Sequence, residues 1–371
     1  MGFADFTEDY PWDSLIPYRE QAAAHPGGTV DLSIGTPVDP TPAPVQEALR
    51  AAANAPGYPT VAGTDELRAA LVDWWARRRQ ATVGPDQILP TIGSKELVGL
   101  LPSLLGLGPG DVVVVPTTAY PTYAVGARLA GAAVLAADDV AAWEGVAGVR
   151  LVWVNSPSNP TGAVTPAGEL RRVIAAARRV GAAVAADECY AELPWADPWV
   201  AAGVPSLLSD DVADGDHTGL LAAYSLSKQS NLAGYRAAFL AGDGDLIGRL
   251  TLLRRHLGMM IPAPVQAAMT YALGDDGHVR GQREVYGRRR AALLPALTEA
   301  GFTIDHSEAG LYLWARRPGQ DGWAAVADFA RLGIVVGPGS FYGEGGAGHV
   351  RLSLTAPDER VAAAVERLRG A

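Results

Sequence analysis

Among 30 basic residues in a chain of 371, only Lys95 and Lys228 are lysines. Arg stays protonated in proteins, whereas Lys can be neutralised by its surroundings and then attack a carbonyl. Taken alone, the pair reads equally well as two surface lysines left by chance. Lys228 closes the run Tyr224-Ser225-Leu226-Ser227-Lys228, and Arg236 follows eight residues later. A lysine, two hydroxyls and an arginine gathered at one edge would hold an aldehyde and a phosphate together. Asp187, in Asp187-Glu188-Cys189-Tyr190, follows an apolar run. An acid so placed is often only a cap or a loop ligand, but here it has company. Lys95 ends Thr91-Ile92-Gly93-Ser94-Lys95, where Gly93 lets backbone approach a ligand and Ser94 is placed as a helix N-cap with free amides behind it. Those amides could seat a phosphate, although a capped helix without a ligand is the commoner outcome of this pattern.

Such residues need elements that bring them together. Thr41-Pro42 predicts a helix striped by Val45, Ala48, Leu49 and Ala52, and Thr64 opens another striped by Leu67, Ala70, Leu71 and Trp74. The helix after Ser94 carries Leu97, Leu100, Leu101 and Leu104, with Pro102 expected to bend it or end it early. Apolar runs at Val112 to Val115, Val149 to Val154, Ala182 to Ala186, Leu220 to Ser225 and Ala237 to Ala241 read as strands. A helix begun by Thr165-Pro166, striped by Leu170, Val173, Ile174 and Ala177, should stop near Gly181. Alternating strands and helices predict an α/β fold, a mostly parallel central sheet covered by helices on both faces. Such sheets bind ligands at the carboxyl ends of their strands, which is where these residues fall.

Composition sets the bounds. With 49% hydrophobic residues the chain can bury a large core, in two domains or one domain with a lobe. No run of eighteen apolar residues is free of charge, and Met1 to Tyr10 carries acids, so no membrane association and a cytoplasmic address are expected. A net charge of -10 opposes nucleic-acid binding. The lone Cys189 permits neither an intrachain disulfide nor a cysteine metal cage, and its neighbours favour packing; no metal is expected. Gly106, Gly108 and Gly110 precede a strand instead of following one, which misplaces a dinucleotide fingerprint.

The set Asn159-Pro160-Thr161-Gly162, Asp187 to Tyr190, Ser225 to Lys228 with Arg236, and Arg351-Leu352-Ser353 resembles the class I and II aminotransferases of fold type I. The resemblance implies pyridoxal 5′-phosphate carried by Lys228 as an imine, with the freed amine later moving protons. It implies Asp187 against the ring nitrogen, Tyr190 and Asn159 on the ring hydroxyl, and Tyr120 stacked on the ring. The phosphate would take Gly93, Ser94, Lys95, Ser225 and Arg236, with Tyr58 of a second subunit, hence a homodimer with shared sites. Arg351 would grip the substrate α-carboxylate, with the amide near Gly35 and Asn159 on the same side. It also implies a cofactor domain over 46–275 and a smaller α+β lobe, 1–45 with 276–371, joined by a long helix from His278 to Gly301.

For substrate, Asp31 to Pro40, Thr91 to Leu97, Asn155 to Gly162 and Arg255-His256-Leu257-Gly258-Met259-Met260 most resemble the actinobacterial N-succinyl-diaminopimelate aminotransferases of lysine synthesis, which use glutamate and a succinylated keto-pimelate. That substrate bears several carboxylates, so Lys95, Arg255 and His256 are candidates for distal contacts, although Arg255 and His256 read equally as a solvated helix end. An aminotransferase for another amino acid, or a lyase or decarboxylase with the same cofactor, fits the fold as well. A ligand sensor would need a DNA-binding module, for which the residues before Thr41 leave no room.

Overall fold

Short runs of Ala, Val and Leu pair side by side in the computed structural model, which describes residues 10–370. The expected N-terminal arm is therefore described from Tyr10 onward, and residues 1–9 lie outside the described residues. The strands are β1 (Val30–Asp31), β2 (Ile88–Ile92), β3 (Val112–Val115), β4 (Ala133–Ala136), β5 (Val149–Asn155), β6 (Ala183–Asp187), β7 (Leu220–Ser225), β8 (Ala237–Gly242), β9 (Thr303–Asp305), β10 (Tyr312–Arg316), β11 (Ile334–Val335), β12 (Gly337–Pro338) and β13 (His349–Ser353). Seven of them form one sheet in the order β2-β8-β7-β6-β5-β3-β4. From β7 through β4 the strands are parallel, and β8 runs against both β7 and β2. The sheet is thus mostly parallel, as the alternation predicts. The carboxyl ends of β2, β3, β5, β6 and β7 share one edge with the amino end of β8.

Helices bury one stripe each on the two faces of this sheet. On one face Leu170, Val173, Ile174 and Ala177 of the helix Ala167–Val180 are buried, and Gly181 ends that helix at φ 69. Trp74 and Trp75, on Asp65–Arg79, pack edge-on to Phe239 of β8, with Thr64 capping the Leu67 amide. On the other face Leu97 and Leu101 pack beside Tyr123, whose ring stacks on Trp153 at 4.8 Å. A second core, with Leu293, Leu297, Leu313 and Phe329, lies under the antiparallel sheet β12-β13-β10-β9. The helix Asp276–Glu299 leads into it, starting and ending two residues before the positions expected.

Two local expectations are corrected. Pro42, not Thr41, occupies the cap of Ala43–Ala51, because the Thr41 hydroxyl donates to the Asn231 carbonyl instead (3.0 Å). Gly93, not Ser94, caps Ser94–Leu104: its φ of +77 is cheap only for glycine. Of the two outcomes expected of Pro102, an early end does not occur, since the helix runs on to Leu104. The Val98 carbonyl, which Pro102 cannot bond, faces Gly126, where a Cβ would come within 2.9 Å. The edge strand β4 escaped the sequence reading because its alanines and half-buried Val134 and Leu135 carry no clear alternation. Among the described residues no helix is long and apolar enough to cross a membrane.

Candidate active site

The shared edge opens into a cavity of about 1340 Å³ bordered by both cores. β6 delivers small apolar residues until its last position, so Asp187 is the first acid to reach this wall. Tyr123 Oη donates to its Oδ2 (2.9 Å) and the Cys189 amide to its Oδ1 (3.2 Å). Burial pushes the Asp187 carboxyl above its ordinary range, and these donors only partly offset that. A carboxylate so placed favours a protonated nitrogen beside it. Glu188 points the other way into a buried pair with Arg79 (2.7 Å) and accepts from Ser206 and the Leu207 amide. Loss of one partner from such a pair costs about 3–5 kcal/mol, so the turn after Asp187 is firmly held.

β7 ends in the same way. Ser225 Oγ accepts from the Ser227 amide (3.2 Å) and caps the short helix Leu226–Gln229, which lifts Lys228 into the cavity wall. Burial pushes the Lys228 amine below the usual lysine range, and the nearby Arg351 and Arg236 add to that. Its Nζ donates to the Gly35 carbonyl. Tyr286 Oη holds the Lys228 carbonyl at 3.2 Å.

Beside them lies a cup. A Cβ at Gly93 would stand 2.1 Å from Arg236 Nη2, so the guanidinium occupies the space that glycine leaves. The helix starting at Ser94 presents its first amides there, with Lys95 and the Ser225 hydroxyl also on the wall. A helix N-terminus with an arginine across it suits a phosphate group. Arg254, fully buried, fixes this helix through Glu96 (2.8 and 3.1 Å). The cradle at Gly93 and the carboxylate of Asp187 together fit pyridoxal phosphate.

Arg351 enters from β13. Its Nη1 donates to Asn159 Oδ1 (2.9 Å), its Nη2 to the Ser33 carbonyl (2.7 Å), and its buried Nε has no partner among the described residues. Its guanidinium carbon lies 3.9 Å from the Tyr312 ring centroid and 4.8 Å from that of Tyr342. A fork with donors left over on the cavity wall suits a carboxylate. Tyr120 meets Tyr123 edge-on at 5.8 Å, and burial pushes its hydroxyl up to about 12.

Of the residues singled out from sequence, Gly35, Ser94, Lys95, Tyr120, Asn159, Asp187, Tyr190, Ser225, Lys228, Arg236 and Arg351 border this one cavity, and Gly93 lies beneath Arg236. Tyr58, Arg255 and His256 do not border it and are exposed, Tyr58 at 97%. The sequence reading missed Tyr312 and Tyr342, which frame Arg351: Tyr312 sits in a run that reads as ordinary core, and Tyr342 in a glycine-rich stretch that reads as a loop. Only the pairing of β10 with β13 exposes Tyr312 as a neighbour of the arginine.

The sequence profile of the family Aminotransferase class I and II matches residues 28–368. The chain is 56% identical over 361 residues to a probable aminotransferase of Mycobacterium tuberculosis, covering 97% of this chain and 84% of the other. It is 52% identical over 360 residues, 97% and 98% of the two chains, to the 4-dedimethylamino-4-oxo-anhydrotetracycline transaminase OxyQ of Streptomyces rimosus. Among solved structures it superposes on a probable N-succinyldiaminopimelate aminotransferase from Thermus thermophilus with a TM-score of 0.87 and 28% identity, over 97% and 100% of the chains.

Proposed function

This chain belongs to the class I and II aminotransferases and works with pyridoxal 5′-phosphate, and we propose that it moves an amino group between glutamate and N-succinyl-diaminopimelate. When bound, the cofactor supplies an aldehyde that takes up an amine and a protonated ring that draws electrons from the adjoining carbon. Lys228 would hold it, and the lowered basicity of its amine equips it to carry a proton at the substrate α-carbon. Asp187 would keep the ring-nitrogen proton in place, with Asn159 and Tyr190 on the ring hydroxyl and Tyr120 against the ring face. The amides of Ser94 and Lys95, the Ser225 hydroxyl and Arg236 would hold the phosphate. Arg351 would receive the α-carboxylate, with the backbone near Gly35 closing that side. The division into a cofactor domain, 46–275, and a smaller lobe that closes over substrate belongs to the same reading, as does a cytoplasmic location.

The observation that carries the substrate assignment is a cation on the cavity lining beyond Arg351, Lys95. A long substrate with several carboxylates uses such a lining. A second reading, amino transfer to a ketone on a fused-ring substrate, is favoured by the likeness to OxyQ and by Tyr10, Trp12 and Phe341 along the wall. Supplying glutamate with either the succinylated keto-pimelate or a fused-ring ketone decides between them. Faster turnover of the succinylated acid is expected. Arg255→Ala and His256→Ala should then lower kcat/KM on it by roughly ten- to a hundredfold while sparing a short neutral amino acid. Equal losses on both substrates would remove these two residues from specificity, and turnover of the ring ketone alone would transfer the function to the second reading.

Arg255 and His256 lie outside this chain's own cavity, and the role proposed for them requires a second copy of the chain. A homodimer with shared sites is supported by Leu252 and Leu257, 58% and 57% exposed on either side of them, and by the exposed Tyr58. Mixing Lys228→Ala with Tyr58→Ala subunits tests the sharing. Each mixed dimer then has one site carrying both changes and one carrying neither, so activity should exceed that of either parent. A mixture no more active than the parents' average would place Tyr58 in its own subunit's site.

A further inference from the structure

Tyr190 does not meet the cavity alone. Its hydroxyl lies 3.2 Å from Tyr312 Oη, and the two rings meet edge-on at 5.6 Å. Tyr312 opens β10, whose pairing with β13 brings Arg351 over its ring at 3.9 Å. Gly35 makes the room, because a Cβ there would stand 2.3 Å from Tyr312 Oη. The carbonyl of that same glycine accepts from Lys228. One phenol therefore stands among Tyr190, Arg351 and Lys228.

Either hydroxyl could donate to the other, and the more acidic phenol of a pair is the better donor. Burial raises Tyr190 well above the ordinary phenol range. Burial pushes Tyr312 upward too, but Arg351 and Lys228 outweigh it and bring Tyr312 below that range. Asp187 and Cys189 face Tyr190, while Tyr120, Tyr286 and Tyr342 face Tyr312; the acid and the phenols act against ionisation of the pair. With Tyr312 as the donor across the 3.2 Å contact, the Tyr190 proton is left for an acceptor in the cavity, which both residues border.

We propose that Tyr312 is a positioning residue: its hydroxyl aims and polarises the Tyr190 hydroxyl, and thereby sets how firmly the cofactor's ring oxygen is held as an anion. Hydrogen bonds in series strengthen one another, and a donor at that oxygen weakens the cofactor's hold on its titrating proton. The proposal rests on the cofactor placement given above, and the test separates the two.

The measurement is the absorbance of bound cofactor against pH in the parent enzyme, Tyr190→Phe, Tyr312→Phe and the double variant. Tyr312→Phe keeps the ring beneath Arg351 and removes only the hydroxyl. Tyr190→Phe should raise the titration midpoint by more than about one pH unit, the loss of a charge-assisted hydrogen bond. Tyr312→Phe should raise it by about half a pH unit. The double variant should match Tyr190→Phe, because Tyr312 acts through Tyr190. An unmoved midpoint in Tyr312→Phe, or a further rise when it is added to Tyr190→Phe, overturns the proposal while leaving the cofactor placement intact. An unmoved midpoint in Tyr190→Phe overturns that placement and the proposal with it.

Discussion

Lys228→Ala is expected to lose amino transfer by at least roughly three to four powers of ten, together with the cofactor adduct that borohydride fixes in the parent enzyme. The size follows from two roles falling on one amine, holding the cofactor and carrying the proton. Lys228→Arg should not rescue it, because a guanidinium neither adds to an aldehyde nor gives up its proton near neutral pH. The chain's composition makes the assay clean: with only two lysines, the fixed label falls in the peptide of Lys228 or in that of Lys95. Lys95 borders the same cavity and is a real competitor. A label on Lys95, or turnover persisting in Lys228→Ala, would reassign the site.

That competition could be framed before any coordinates because the informative residues break local patterns. β6 is a run of Ala and Val, and β7 one of Leu and Ala followed by Tyr224; each reaches a small polar side chain only where the strand stops, so Asp187 and Ser225 announce the sheet edge in the sequence itself. Arg236 and Gly93 were legible as types, but not their embrace, since contact between residues on different elements leaves no periodic trace. Thr64 and Gly181 cap their helices where expected, but two caps were readable only to within one residue: Thr41 had a rival acceptor in the Asn231 carbonyl, and Gly93 pre-empted Ser94 by its left-handed backbone. Aromatic residues in a small antiparallel sheet look like core whichever way they face, which hid Tyr312, while Tyr342 ends a single short turn, Gly339–Tyr342, inside a glycine-rich stretch that reads as a loop. In the run Arg254-Arg255-His256, helical spacing turns Arg254 inward onto Glu96 and leaves its neighbours in solvent, a choice that no charge pattern in the run reveals.

Asp187→Asn should lower kcat by roughly two or more powers of ten while leaving much of the cofactor bound, since the amides of Ser94 and Lys95 and the Arg236 guanidinium are untouched. The same change should not weaken the cofactor-free protein at pH 7, and the sign can be worked out. Burial raises the folded-state carboxyl above its ordinary value of 3.8. The folded protein therefore binds that proton more tightly than the unfolded chain does. Ionised Asp187 counts against folding at pH above the folded value, and this cost fades as the pH falls through it toward 3.8. Asn carries no charge to bury, keeps its Oδ1 for the Cys189 amide, and turns its Nδ2 toward the Tyr123 hydroxyl, which can accept as well as donate. Thermal melting of the cofactor-free variant should thus match or exceed that of the parent at pH 7, with the gap closing in acid. A large loss of rate without a loss of stability marks a group kept for chemistry at some cost to the fold. A variant that melts lower at every pH would trace the lost rate to damaged packing, and an unchanged rate would take Asp187 out of the role altogether.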